Sequence, residues 1–558
     1  MGYAVTNTAG IAPHEPSLLR SAALPLTALV LFLAVFLVLP VLSLGKQSLF
    51  TEGAFTGLAS FHRFLETPGL TTAFRHTLFM GAAVTAITLV LAFTLAYALT
   101  HTRCKGMAAC RAVSQLPLFV PSLFPALGLI YLFGSQGVIS MAVGEIPLYG
   151  PLGIILGSIV YTLPHALLPL VSSLRDIDAD LYLAARSLGA SPWRRFVTVT
   201  LPGARYGIVS SGIIIFVLTV TDFGVPKVLG GEYSMLATEI FRQVVGMQDF
   251  SMGATVSLAL LAPCLPAFAL DAWVRKKQRG QWRGRPYAPE RNAKRDGLFT
   301  ALAWGVCLLP LATVGMVIWG SFITFWPYEL GLTFANYRFE NSVYGATPFL
   351  NSLLMAASCA ALGLILIFSG AYLVERTRPS GTPASISWRI LSGVYRLLAL
   401  LPLAIPGTVL GLAYILAFNT PHSPMQAVYG TVFFMACNCV VHFYTVCHFT
   451  AAGGLARLDP NYETAAATLG VSRPRTFFKV IVPMQKSVIV DMSFYLFVNA
   501  LTTISAVVFL YAPETMPASV AVLQMLDSGA TAEASAMGTL ILIAALAARL
   551  LRSFIKTE

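Results

Sequence analysis

The chain has 558 residues, of which 56% are hydrophobic and only 11% charged, with a formal net charge of +12 and a mean hydropathy of +0.75. A soluble domain carries about 25% charged residues, so composition excludes a soluble enzyme or binding module and points to an integral membrane protein. The basic excess raises a nucleic-acid partner, which its distribution along the chain argues against.

Apolar stretches long enough to cross ~30 Å of hydrocarbon predict an all-α protein with about twelve transmembrane helices. The first six lie near 22–44, 77–100, 112–133, 152–173, 208–226 and 252–274. The first is longer than a signal-peptide core and lacks a small-residue cleavage site, so it is read as a retained span. The third holds LPLFVP (116–121) and then GLIY (128–131). Proline inside a span frees backbone groups that only neighbouring helices or a water-lined cavity can satisfy, so Pro121 is a candidate for the translocation path. The fourth contains His165, read as interhelical hydrogen-bond glue. The fifth ends in VTDFGVPK, where Asp222 is an ionisable group at membrane depth and a further path candidate. Pairing with Lys227 is the structural alternative for it.

A basic segment follows. Residues 275–296 contain nine Lys and Arg with Gly and Pro breaks, and read as a solvated cytoplasmic linker between two halves, 1–274 and 297–558. The second six spans lie near 298–320, 350–374, 391–416, 427–450, 487–510 and 534–548. The ninth repeats the third, with LPLAIP (401–406) and GLAY (411–414), which makes Pro406 the counterpart of Pro121. Asn438 and His442 in the tenth and Asn499 in the eleventh are read as polar glue, and Thr503 stands opposite Asp222 at an offset of 281. With the N-terminus inside, thirty of the 36 Lys and Arg fall in interior segments and six outside. That asymmetry places both termini in the cytoplasm and assigns the charge to topology, so no nucleic-acid partner is expected.

Eight cysteines form no CxxC pair and none falls in an exterior loop, so neither a disulfide framework nor a metal site is expected.

The strongest internal signal is a 25-residue segment that occurs twice, at 178–202 and 459–483, without a gap. Ten positions are identical, including Ala184/Ala465, Ala185/Ala466, Leu188/Leu469, Gly189/Gly470, Ser191/Ser472, Phe196/Phe477 and Pro202/Pro483. The chain is therefore a tandem duplication. Each copy reads as two short helices: Asp178 or Asp459 caps the first, glycine makes a left-handed stop, and Ser191 or Ser472 caps the second. Phe196 and Phe477 supply an aromatic knob, and Pro202 and Pro483 end the unit before the next span. One such element per half implies two related or identical soluble partners.

The pattern EAA, three residues, Gly, and a proline thirteen residues further resembles the signature of permease subunits of ATP-binding-cassette importers. The match spans both halves, which become two tandem six-helix permease repeats, but Leu183 and Thr464 stand where the signature has glutamate, with Glu463 one place earlier. The resemblance implies that Ala184, Ala185, Gly189, Ala465, Ala466 and Gly470 belong to loops docking on a separate ATPase. It also implies a bacterial inner-membrane location, a periplasmic binding protein, two ATPase copies, and ATP with Mg bound on the ATPase. This chain shows no phosphate loop, its one Gly-Lys pair being Gly45-Lys46 without a glycine-rich run, and it binds no cofactor in this reading. Fused double permeases of this length resemble the ferric-iron, thiamine and 2-aminoethylphosphonate importers. The stretches 502–514 and 518–541 lean toward 2-aminoethylphosphonate. A secondary transporter is the competing class, which leaves the repeated loop unexplained. A membrane enzyme is third, with no catalytic cluster to support it.

Overall fold

The computed structural model describes residues 15–51, 54–278, 285, 287–340, 345–376, 386–420 and 423–557. Residues 279–284 and 286 of the expected linker lie outside them. Among the described residues nine helices are long and apolar enough to cross a membrane, and three bent helix pairs raise the number to twelve. In half one the spans are Ala22–Leu49, Pro68–His101, Leu123–Val143, Pro151–Arg175, Pro192–Gly203 with Arg205–Thr221, and Phe250–Val274. In half two they are Ala293–Gly320, Thr347–Arg376, Ile386–Ala404, Val432–His442 with Tyr444–Leu455, Arg473–Met484 with Lys486–Thr502, and Thr531–Ile555. Short antiparallel hairpins follow the first span of each half, pairing Phe50 with Phe55 and Ile323 with Leu332.

Spans two and eight exceed the sequence expectation. Their 34 and 30 residues reach about 51 and 45 Å at 1.5 Å per residue, more than the ~30 Å hydrocarbon core requires. Their far ends, His101 and Arg376, therefore extend to the repeated loops.

Spans three and nine break at their prolines in the same way. In half one a helix ends at Gln115, a 3-10 turn covers Leu116–Phe119, Val120 is extended, and the helix resumes at Leu123. In half two the turn is Leu401–Ala404, Ile405 is extended, and the helix resumes at Gly407. Each extended residue precedes a proline, whose ring disfavours the α conformation in its neighbour.

Spans five and eleven end earlier than expected, at Thr221 and Thr502, where Asp222 and Thr503 turn extended. At their other ends they bend by 63° and 79° on leaving the repeated loops. A π-turn precedes each bend, at Phe196–Thr200 and Phe477–Ile481. Pro202 and Pro483 lack the N–H that would continue the α ladder, and the widened turn absorbs that loss.

The two halves interlock through the repeated GLIY and GLAY tyrosines. Tyr131 pairs its hydroxyl with Ser535 of span twelve at 3.1 Å, and Tyr414 donates to the Phe36 carbonyl of span one at 2.6 Å. Both rings are buried, so each half inserts an equivalent aromatic anchor into the other.

Candidate functional site

The repeated loops fold alike down to the hydrogen bonds of their first helices and glycine stops. The first helix is Ala179–Ser187 in half one and Asn461–Thr468 in half two. Asp178 accepts from the Asp180 N–H at 3.0 Å and Asp459 from the Asn461 N–H at 2.9 Å. Gly189 (φ +73°) and Gly470 (φ +70°) adopt the left-handed conformation. Ala190 N–H reaches the Ala185 carbonyl and Gly189 N–H that of Arg186; Val471 to Ala466 and Gly470 to Ala467 repeat the pair. This is a Schellman stop, which glycine adopts without a Cβ penalty. Ser191 then caps the second helix by accepting from Arg194 N–H at 3.2 Å. Ser472 occupies the same cap position, but its side chain makes no cap bond, contrary to expectation.

The aromatic knobs point inward. Phe196 packs on Phe93 and Tyr97 of span two at 6.0 Å, and Phe477 on Phe368 and Tyr372 of span eight at 5.9 and 4.7 Å. They plug the loop into the bundle, because a phenyl ring gains more from burial against aromatic neighbours than from solvent. The outward apolar contacts are Leu188, 86% exposed, and Leu469, 80% exposed. These equivalents are the two most exposed large apolar side chains among the described residues. Trp193 is also exposed, as are Ala184, Gly189, Ser191 and Pro202, and Ala465, Gly470, Ser472 and Pro483; Ala185 and Ala466 are half-buried.

The structure replaces the missing signature glutamate with a clamp one residue earlier. Arg376, at the end of span eight, binds Glu463 bidentately, with Nε at 2.7 Å and Nη2 at 2.5 Å, and also donates to the Leu458 and Asp459 carbonyls. A loop-anchoring carboxylate is thus present in half two. In half one His101 occupies the place of Arg376 and Tyr182 that of Glu463, meeting at 2.9 Å. Tyr182 bonds on to Thr200 at 2.9 Å, and burial pushes its phenol up to about 12. Glu463 was noted in the sequence one place before the signature position, but its pairing with Arg376, and the His101–Tyr182 pair, were missed. The signal was AYALTHTR (96–103) against AYLVERTR (371–378), a match at an offset of 275.

The described end of the linker also touches the first loop. Arg285 accepts from the Ala179 N–H through its carbonyl at 2.9 Å, Tyr287 stacks on His101, and Arg186 pairs with Glu290.

Within the bundle the breaks of spans three and five meet, and those of nine and eleven do likewise. A Cβ added to Gly224 would lie 2.3 Å from Ser122 Oγ, and one added to Gly407 would lie 2.5 Å from Ser505 Oγ. Ser122 and Gly407 are equivalent positions, as are Gly224 and Ser505, so the same contact is made with its residues exchanged. Pro121 and Pro406 are buried beside these contacts. Asp222, 7% exposed, accepts from the Gly224 and Val225 N–H groups at 3.3 and 3.0 Å and so caps the short helix Gly224–Leu229. Lys227 pairs instead with Asp527 of half two at 3.5 Å. Thr503 is buried, and its carbonyl accepts from Ser519 at 2.6 Å. Asn438 bridges to the Ala506 carbonyl at 2.6 Å, an interhelical bond; His165 and Asn499 bond within their own helices. Among the described residues no three His, Cys, Asp or Glu are grouped to hold a metal.

A duplicated bundle of broken spans with two matched helix-turn-helix loops defines a membrane permease. The family model for the binding-protein-dependent transport system inner membrane component matches residues 107–280 and 381–556, and the chain belongs to that family. It is therefore the permease subunit of an ATP-binding-cassette importer rather than an enzyme, working with a separate ATPase and a substrate-binding protein. This removes the secondary-transporter alternative. The chain is 27% identical over 542 residues to the ferric transport system permease protein FbpB of Actinobacillus pleuropneumoniae, covering 94% of this chain and 76% of that one. It is 27% identical over 510 residues to a putative ferric transport permease of Haemophilus influenzae, covering 88% and 78%. A putative 2-aminoethylphosphonate permease of Salmonella typhi is 26% identical over 267 residues, covering 46% of this chain and 92% of that one.

Proposed function

We propose that this permease carries ferric iron, delivered by an exterior binding protein, and that its two repeated loops each dock one ATPase subunit in the cytoplasm. Coupling rests on one observation: Leu188 and Leu469, equivalent in the duplication, are the most exposed large apolar side chains described, and each is the C-cap residue just before the left-handed glycine of a matched Schellman stop. Large apolar groups held out by a rigid turn suit insertion into a partner groove. The positive-inside asymmetry supports placing these loops and both termini in the cytoplasm.

For the cargo, the ferric-transport relatives align with nearly the whole fused chain, while the aminoethylphosphonate relative aligns with about half. The expectation of 2-aminoethylphosphonate also leaned on Asp222 steadying an ammonium. Asp222 is buried and both its oxygens accept backbone N–H bonds, so the start of the following helix gives it a structural partner that needs no passing cation. Uptake by proteoliposomes containing this chain, its ATPase and its binding protein tests the reading. Radiolabelled ferric iron should accumulate with ATP, and 2-aminoethylphosphonate and thiamine should not. Accumulation of either organic solute without iron overturns the cargo and leaves the permease assignment intact.

A further inference from the structure

The two loops are held by unlike means. The second is fastened by the charge-assisted, bidentate Arg376–Glu463 pair, with Arg376 Nη1 and Nη2 also serving the Leu458 and Asp459 carbonyls. Such bonds are roughly twice as strong as neutral ones. The first has only a His101–Tyr182 contact at the equivalent place. The central linker folds back onto those same two residues. Tyr287 stacks on His101 with ring centroids 5.2 Å apart and packs at a 36° tilt against Tyr182 at 4.4 Å. On either side of Tyr287, the Arg285 carbonyl takes the Ala179 N–H and Glu290 meets Arg186. That ion pair is exposed on both sides and worth little alone. The backbone bond and the aromatic stack carry the attachment. In half two the Arg376–Glu463 pair takes that place.

We infer that the linker at Arg285 and 287–290 is a clasp that holds the first loop in docking position, replacing the ion pair that holds the second. The clasp also shapes the first ATPase-facing surface, where linker residues Ala288 and Glu290 border a groove with Leu183 and Arg186. Its significance for coupling rests on the reading of the loops as ATPase docks. Tyr287 is a positioning residue in this scheme.

Hydrogen exchange on the full chain in lipid nanodiscs tests it, comparing peptides over 178–190 and 459–471. Tyr287→Ala should speed exchange in the first loop by roughly two- to tenfold, the range aromatic pair energies imply, and leave the second unchanged. Tyr287→Phe keeps the stack and should behave as wild type. Installing the half-two clamp in half one, as His101→Arg with Tyr182→Glu, should restore protection to the Tyr287→Ala protein. An unchanged first loop, an equal rise in both loops, or no restoration overturns the clasp. Cross-linking of the ATPase to the second loop, which does not depend on Tyr287, reports separately on docking. If neither loop cross-links, the docking reading falls, while the exchange result still decides the clasp.

Discussion

At the residue scale, the exchanged Ser–Gly contacts show how two copies of one architecture tolerate different sequences. Ser122 against Gly224 and Gly407 against Ser505 each allow one side chain and no more, because a second Cβ would stand 2.3 or 2.5 Å from a hydroxyl oxygen. Gly224→Ser should therefore overpack the junction, costing ~1–3 kcal/mol, and lower both thermal stability in detergent and uptake. Adding Ser122→Gly recreates the half-two arrangement and should recover most of the loss; a double variant no better than the single would show that the contact is not reciprocal. Asp222→Asn tests the cap in turn. An amide offers one acceptor oxygen where the carboxylate offers two, so one of the Gly224 and Val225 N–H groups loses its partner, at a cost of ~1–3 kcal/mol. Thermal melting should shift down for whatever cargo is bound; a cargo-specific uptake defect with unchanged melting would instead return Asp222 to the path.

At the element scale the repeated loops were legible because their grammar is local: a capping Asp, alanines, a left-handed Gly and a Ser. The clamps beneath them were not, because their partners lie about 80 residues apart and differ in kind between the halves, His with Tyr in one and Arg with Glu in the other. The inward turn of Phe196 and Phe477 was equally hidden, since an aromatic at a loop helix reads as a knob until Phe93, Tyr97, Phe368 and Tyr372 are seen beneath it. Proline breaks in spans three and nine were readable, but the meeting of Gly224 with Ser122 depends on a crossing that no spacing reveals. Gly189→Val and Gly470→Val test the stops directly. No atom lies within 4 Å of a Cβ at either position, so the cost is backbone strain alone, ~1–2 kcal/mol at each left-handed site. Transport should fall severalfold in the double variant while membrane insertion is unchanged; wild-type ATP use and uptake would refute the coupling role. Arg376→Ala leaves Glu463 and the carbonyls of Leu455, Leu458 and Asp459 without their cation. It should destabilise the second loop by ~2 kcal/mol, less than the ~3–5 of a fully buried pair because Glu463 remains 23% exposed. Faster hydrogen exchange confined to 459–471 is the expected sign.

For the whole molecule, duplication produces a pseudo-symmetric permease whose halves brace each other through Tyr131 and Tyr414 and present one repeated loop apiece. The orientation proposed from charge predicts that single cysteines near Gly144 or Ser528 react with an impermeant maleimide from outside, and that one at Ser472 does not. The central claim is that both loops meet the ATPase. It is tested most directly by placing a cysteine at Leu188 or Leu469, in separate proteins, and cross-linking in membranes that contain the ATPase. The account predicts a permease–ATPase adduct from each position, with ATP-dependent uptake blocked once either is formed. An adduct from neither, with uptake intact after cysteine modification, would contradict it.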